Sequence, residues 1–304
     1  MLKRVTWMSA LLCAAVLSAA PAYANPTISV IASFSVMQDL VKRVAGDTVS
    51  VNVIVPAEED VHRWELTPPN VLDMEDIDIV FYNGLGLEPW MHHVEAMSGD
   101  RLTLIEVAAQ ADYAPITIST GLHKGEPDPH MWMDPQGAAA YIDVIADVLA
   151  EHLPDQADAF YARAEEAKKA LSIIDQAVKE RLDGIPQINR TLVTSEAGFG
   201  YFARAYAFQA FGVWGVNHET QGSALALAKM SEYLAEKRPL ALFYESTTSQ
   251  IHMDALSRET SLPLAGPLYV DALSNTDGPA ANYSAMLRHN AEVLHTALGG
   301  ATAE

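Results

Sequence analysis

Short apolar runs alternate along the chain with longer stretches of helical periodicity. Residues 27–34 are rich in β-branched and apolar side chains, and residues 49–55 alternate apolar and polar positions as a half-buried strand does. Residues 77–82 are almost continuously apolar, the pattern of a strand buried on both faces, and residues 102–107 make a fourth strand. Ser35 and Gln38 carry the spacing of a helix capping box, with Gly46 placed to end that helix. Asp134 and Pro135 open a helix reaching about His152, with aspartate as N-cap and proline as first helical residue.

From Pro154 the pattern lengthens. Phe160, Ala164, Ala167, Leu171, Ile174, Val178 and Leu182 recur at steps of three and four. At about 1.5 Å per residue the helix they predict spans roughly 40 Å, and Gly184 and Pro186 end it. Alternation then resumes: strands over 191–195, 211–216, 240–244 and 264–270, helices over 199–207, 224–236 and 280–298. Strands alternating with helices imply parallel sheets covered by helices. The expected architecture is α/β: two lobes of parallel sheet flanked by helices, joined by one long rigid spine helix. The expected division is residues 25–153, a spine over 154–185, and residues 186–304.

Ligands of such folds bind beyond the carboxyl ends of the strands. Beyond the second strand lies Glu59-Asp60-Val61-His62-Arg63-Trp64-Glu65. Beyond the fourth lies Pro127-Asp128-Pro129-His130-Met131-Trp132-Met133-Asp134-Pro135, where prolines stiffen a loop around one imidazole. Thr194-Ser195-Glu196-Ala197-Gly198 follows the first strand of the second lobe, and Val270-Asp271 the last. Two neutral imidazoles and two carboxylates balance a divalent cation, which matters because an uncompensated buried charge is very costly. Spacing alone leaves Glu245, also just past a strand, as an alternative to Glu196.

Composition narrows the setting. Lys3 and Arg4 precede an apolar run over 11–20, and Ala22-Tyr23-Ala24 offers small residues at the peptidase positions, so residues 1–24 read as a cleaved signal peptide. Cys13 lies inside the apolar run, so a lipid anchor is not expected, and no cysteine follows it. Without the two basic signal residues the formal charge is 17 − 39 = −22, which argues against nucleic acid and anionic lipid as partners. His92 and His93 are expected on a helix surface, His123 on a solvated loop, and His218 and Glu219 at a cleft wall or helix start. Trp64, Trp132 and Tyr269 adjoin the candidate loops as shields from water or as ordinary packing.

Over essentially the whole mature chain, these loops resemble the metal-binding solute-binding proteins of ABC transporters that capture manganese, zinc or iron. The first ligand loop of that family is matched by Glu59 to Glu65, and the second by Asp128-Pro129-His130-Met131-Trp132-Met133-Asp134-Pro135. Val193-Thr194-Ser195-Glu196 with Phe199-Gly200-Tyr201-Phe202 matches the third, and Val270-Asp271-Ala272-Leu273 the fourth. The resemblance implies His62, His130, Glu196 and Asp271 as metal ligands in a cleft between the lobes, and it favours Glu196 over Glu245. It also implies a periplasmic, non-enzymatic, monomeric receptor that delivers its ion to an ABC permease. Val61 stands where the family usually has proline, and Asn70 where it often has aspartate; neither is a ligand position.

Glutamate at the third position makes the set harder than three imidazoles, which suits Mn²⁺, or Fe²⁺, while Zn²⁺ still binds. The single histidine between Ala108 and Pro129 points the same way, because zinc-type relatives often carry a histidine-rich loop there. A secreted metal-dependent hydrolase is the rival class, but no HExxH-type motif is present and four protein ligands leave no open position. A receptor for a chelated metal would need basic residues in the cleft, and only Arg63 lies in the loops. With one stiff spine, release is expected from movement of the loops carrying Glu196 and Asp271.

Overall fold

A computed structural model describes residues 28–99, 101–118, 123–216 and 222–299. The signal-peptide segment, with Cys13, and the pair His218 and Glu219 lie outside the described residues. The first lobe runs β1 (Ser29–Phe34), α1 (Ser35–Ala45), β2 (Ser50–Val55), α2 (Pro68–Asp73), β3 (Ile79–Tyr82), α3 (Met91–Ser98), β4 (Thr103–Glu106), α4 (Val107–Gln110) and α5 (Pro135–His152). Its four strands form one parallel sheet in the order β2-β1-β3-β4. Asp134 caps α5 as the sequence predicts, its side chain accepting from the Gln136 backbone N–H.

The spine is α6 (Ala157–Asp183), entered through a short turn at Pro154–Gln156. Its buried residues are Phe160, Ala164, Ala167, Leu171, Ile174, Val178 and Leu182, the stripe read from the periodicity. The second lobe follows as β5 (Thr191–Thr194), α7 (Gly200–Tyr206), β6 (Gln209–Gly212), α8 (Ala224–Lys237), β7 (Leu242–Glu245), α9 (Ile251–Thr260), β8 (Leu264–Leu268) and α10 (Tyr283–Ala297). Here the strands make two parallel pairs, β5-β6 and β7-β8, with no backbone ladder joining β5 to β7.

Several expectations change. The predicted strand over 211–216 is laddered over Gln209–Gly212, although single backbone bonds continue past it: Val213 N to Thr194 O at 3.0 Å and Ala197 N to Gly215 O at 2.8 Å. Those bonds stitch the Glu196 loop to the chain after β6. Gly212 permits the approach, since a Cβ there would lie 2.3 Å from the Ala197 nitrogen. Helix α9 is additional; it buries only Met253 and Leu256, too few to write a periodic stripe. The capping box does not form. Ser35 is the first residue of α1, its hydroxyl accepts from Leu273 N at 2.9 Å, and Gln38 reaches Val51 O.

One large apolar core joins the first lobe, α5, α6, α10 and part of the second lobe. A separate small core, Val193, Val213, Trp214, Leu234, Leu242, Met253 and Leu256, lies within the second lobe. Among the described residues no helix is long and apolar enough to cross a membrane.

Candidate metal centre

The two histidine loops are built on the same local device. Asp60 Oδ1 accepts the His62 backbone N–H at 2.9 Å, and Asp128 Oδ1 accepts that of His130 at 2.9 Å. In each Asp-x-His segment the short carboxylate closes a turn on its own chain two residues on. The rings are then oriented through Nδ1. His62 Nδ1 donates to Leu87 O at 3.1 Å, and His130 Nδ1 to Asp128 Oδ1 at 2.9 Å. With Nδ1 carrying the proton, Nε2 of each neutral ring keeps its lone pair for coordination. Asn83 holds the second loop from behind, donating to Pro129 O at 3.0 Å and accepting from Tyr141 OH at 2.6 Å.

The carboxylates come from the second lobe. Glu196 lies just past β5 and Asp271 three residues past β8. Gly198 lets the Glu196 loop pass close to the second histidine: a Cβ there would meet Val270 at 2.8 Å and the His130 ring at 3.3 Å. Glu196 backbone N–H donates to Glu245 Oε1 at 3.2 Å, and its carbonyl accepts from Thr194 Oγ1. On the other side, Trp132 Nε1 donates to Val270 O at 3.0 Å, and Glu58 N donates to Leu273 O at 2.9 Å.

The four side chains converge. One donor atom from each of His62, His130, Glu196 and Asp271 lies within 4.8 Å of all the others. His62 Nε2 stands 3.0 Å from Glu196 Oε1 and 3.5 Å from Asp271 Oδ2. His130 Nε2 stands 3.7 Å from Glu196 Oε1 and 3.4 Å from Asp271 Oδ1. Donors at the corners of a tetrahedron with bond lengths of about 2.1 Å are about 3.4 Å apart, so this spacing is that of a shell around a single ion. All four residues are buried, His62 the least so at 6% exposure. His130 Nε2 and both Asp271 oxygens make no hydrogen bond among the described residues, with Nε2 3.4 Å from Asp271 Oδ1, so these buried atoms are satisfied either by a shared proton or by a ligand between them.

Electrostatics follow from the same geometry. Burial pushes the His62 imidazole down, but the Glu196 and Asp271 carboxylates outweigh it and hold the group well above the usual histidine range. His130 is likewise lowered by burial and raised further by Asp128, Asp271 and Glu196, ending well above that range. Behind His62, burial raises the Glu88 carboxyl to about 7, against hydrogen bonds from Asn83, Ser33 and Gly84 that lower it.

Other sequence candidates fall elsewhere. Glu245 is buried behind the Glu196 loop and bonds Ser195 and the Glu196 backbone, outside the four-residue cluster. His123 pairs with Glu126 at 2.9 Å on its loop, and His92 and His93 are exposed on α3. Trp132 is fully buried with its ring 5.3 Å from that of His130, whereas Trp64 donates to Asn70 beside the start of α2 and Tyr269 packs on His289. The supporting roles of Asp128, Leu87 O and Ser35 are not evident from the sequence pattern alone. The Asp-x-His repeat, present at Asp60-Val61-His62 and Asp128-Pro129-His130, is the signal that could have pointed to Asp128.

The α/β fold, with parallel sheets flanked by helices and a long spine, is that of the periplasmic metal-binding class of solute-binding proteins. Residues 30–297 match the family described as ZnuA, the periplasmic component A of the zinc-uptake complex, and the chain belongs to that family. It is similar to the manganese-binding lipoprotein MntA of Halalkalibacterium halodurans, 31% identical over 271 residues and covering 89% of this chain and 88% of the relative. It is also similar to the iron-binding protein YfeA of Yersinia pestis, 30% identical over 93% of this chain and 91% of the relative. Among solved structures, the periplasmic zinc binding protein TroA from Treponema pallidum superposes with a TM-score of 0.83 at 25% identity, covering 89% of this chain and 99% of TroA. A manganese-bound periplasmic metal binding protein from Candidatus Liberibacter asiaticus gives 0.79 at 27% identity over 88% of this chain and 99% of the other. Members of this family are solute-binding proteins for ABC import, and neither the hydrolase nor any other enzyme class has support.

Proposed function

We propose that this chain captures a divalent transition-metal ion in the periplasm with His62, His130, Glu196 and Asp271 as ligands, and delivers it to the permease of an ABC importer. The carrying observation is the convergence of these four buried side chains within 4.8 Å. Two neutral imidazoles and two carboxylates neutralise a 2+ charge, which offsets the cost of burying the ion. A space this small suits a bare ion, not a chelate. We assign residues 25–153 and 186–304 to its two lobes and 154–185 to the spine between them.

Mn²⁺ is the proposed cargo, with Fe²⁺ and Zn²⁺ as further ions the site accepts. The support is the donor set: a carboxylate oxygen is harder than an imidazole nitrogen, and Glu196 can bind through one oxygen or two as a larger ion requires. The two relatives above are named for manganese and iron, and TroA for zinc. Elemental analysis of protein purified from its native periplasm without added metal tests the ion. Competition titrations add the residue: Glu196→His shifts preference towards Zn²⁺ by roughly tenfold, and an unchanged Mn²⁺-to-Zn²⁺ ratio contradicts the assignment.

A further inference from the structure

Strands β5 and β7 lie side by side in the second lobe without a ladder between them. What joins them at the site end is one carboxylate. Glu245 is the last residue of β7 and is 1% exposed. One of its oxygens accepts from the Ser195 hydroxyl, and the other accepts the Glu196 backbone N–H at 3.2 Å. The bridge is reciprocal, because Glu245 N donates back to Ser195 Oγ at 3.3 Å. Thr248 closes it, with its hydroxyl 3.1 Å from Ser195 Oγ and 3.0 Å from Glu245 O.

A buried carboxylate is a costly way to join two strands; a backbone ladder would do it with neutral groups. Its position explains the choice. The donors it holds are the N–H of Glu196 itself and the hydroxyl of the residue before it. A carboxylate is the acceptor that takes both through separate oxygens, and bonds to a charged acceptor are about twice as strong as neutral ones. The peptide that presents Glu196 to the cleft is thereby fixed from behind.

We propose that Glu245 is a positioning residue for metal capture: it holds the Glu196 backbone so that the Glu196 carboxylate stands at coordinating distance from His62 and His130. The inference rests on Glu196 being a ligand. It differs from reading Glu245 as a ligand in its own right, which the four-residue cluster leaves out. A residue acting through Glu196 loses its effect once Glu196 is gone, whereas a direct ligand does not.

The test is a double-mutant cycle read by Zn²⁺ affinity in chelator competition, because zinc binds tightly enough to follow weakened variants. The proteins are the parent, Glu245→Ala, Glu196→Ala and the double variant, with Glu245→Gln as the conservative control. Glu245→Ala weakens Zn²⁺ binding about tenfold in the parent background and less than about twofold in the Glu196→Ala background. Glu245→Gln, which keeps an acceptor for the Glu196 N–H and a polar group for Ser195, stays within about threefold of the parent. The same fold-loss in both backgrounds, or no loss on Glu245→Ala, overturns the proposal. Parental affinity in Glu196→Ala alone instead overturns the ligand assignment on which it rests. Should Glu245→Ala fail to fold, Ser195→Ala removes the hydroxyl end of the same bridge and takes its place in the cycle: a loss confined to the parent background supports the proposal, and an equal loss in both backgrounds overturns it.

Discussion

The two carboxylates of the candidate metal centre are held by different parts of the molecule. Both belong to the second lobe in sequence. Asp271 sits in a segment fastened to the first lobe on both sides: Val270 O accepts from Trp132, Leu273 N donates to Ser35, and Leu273 O accepts from Glu58. The helix that follows, α10, packs on α6 and α1 and shares the large core. Glu196 has its own backbone N–H and carbonyl bonded within its lobe, to Glu245 and Thr194, beside the separate small core. Only from Gly198 onward does its chain turn to the histidine loop, where Tyr201 OH donates to Asp128 O at 3.0 Å. Asp271 is therefore tied to the first lobe by its own segment, whereas Glu196 lies between the two cores, with Val193 in the small one and Leu192 and Phe199 in the large one. We propose that the Glu196 loop yields first on release, because the Glu196 backbone is bonded within its own lobe, to Glu245 and Thr194, whereas the Asp271 segment is bonded to the first lobe.

The largest effect sets the baseline for that comparison. On the proposed ligand set, alanine at His62, His130, Glu196 or Asp271 lowers Mn²⁺ affinity by roughly a hundredfold or more, because each change removes one proposed donor. Isothermal titration with circular dichroism as a folding control checks it. Full binding by Glu196→Ala or Asp271→Ala would remove that residue from the shell.

Proton competition comes next. The carboxylates raise both imidazoles, so in the metal-free protein His62 and His130 stay protonated above the usual value of about 6.5. Coordination requires both neutral, so affinity falls as pH drops, and the fall begins above about 6.5. The sign for stability is opposite in the metal-free form. The imidazolium contribution is fully present below the unfolded value and is lost as pH rises through the raised folded value. Chelator competition from about pH 5 to about 8.5 and thermal unfolding of the metal-free form read the two trends. Affinity that stays flat down to about pH 5 would exclude histidine ligation.

How much of this is readable from the sequence depends on the range of the interaction. The spine stripe from Phe160 to Leu182 and the cap at Asp134 are local patterns, and both appear as written in the chain. Three of the four candidate loops are legible because each follows a strand end; the His130 loop, separated from β4 by α4, is legible from its prolines and the α5 cap at Asp134. Ser35 departs from its local pattern because its hydroxyl serves Leu273, a partner 238 positions away that no local rule anticipates. Spacing does not separate Glu196 from Glu245 either: both lie at the ends of parallel strands, and only tertiary packing turns one carboxylate to the histidines and the other to the first one's backbone.

A smaller effect sharpens the comparison from the Asp271 side. Ser35→Ala removes the acceptor for Leu273 N, a loss of about 1 kcal/mol if it falls wholly on the bound geometry, or about fivefold in affinity. Its effect should survive in the Glu196→Ala background, because it acts through Asp271. Competition titrations on the single and double variants decide it, and loss of the Ser35 effect in the double variant would place both carboxylates on one mobile unit.

The most direct test is diffraction at the manganese absorption edge from crystals grown with Mn²⁺, beside metal-free crystals. The account predicts one anomalous peak between His62 Nε2, His130 Nε2 and the Glu196 and Asp271 carboxylates, at distances on the order of 2.2 Å. In the metal-free crystals it predicts the Glu196 loop displaced and the Asp271 segment in place. A peak elsewhere, or one bonded to Glu245 in place of Glu196, would contradict it.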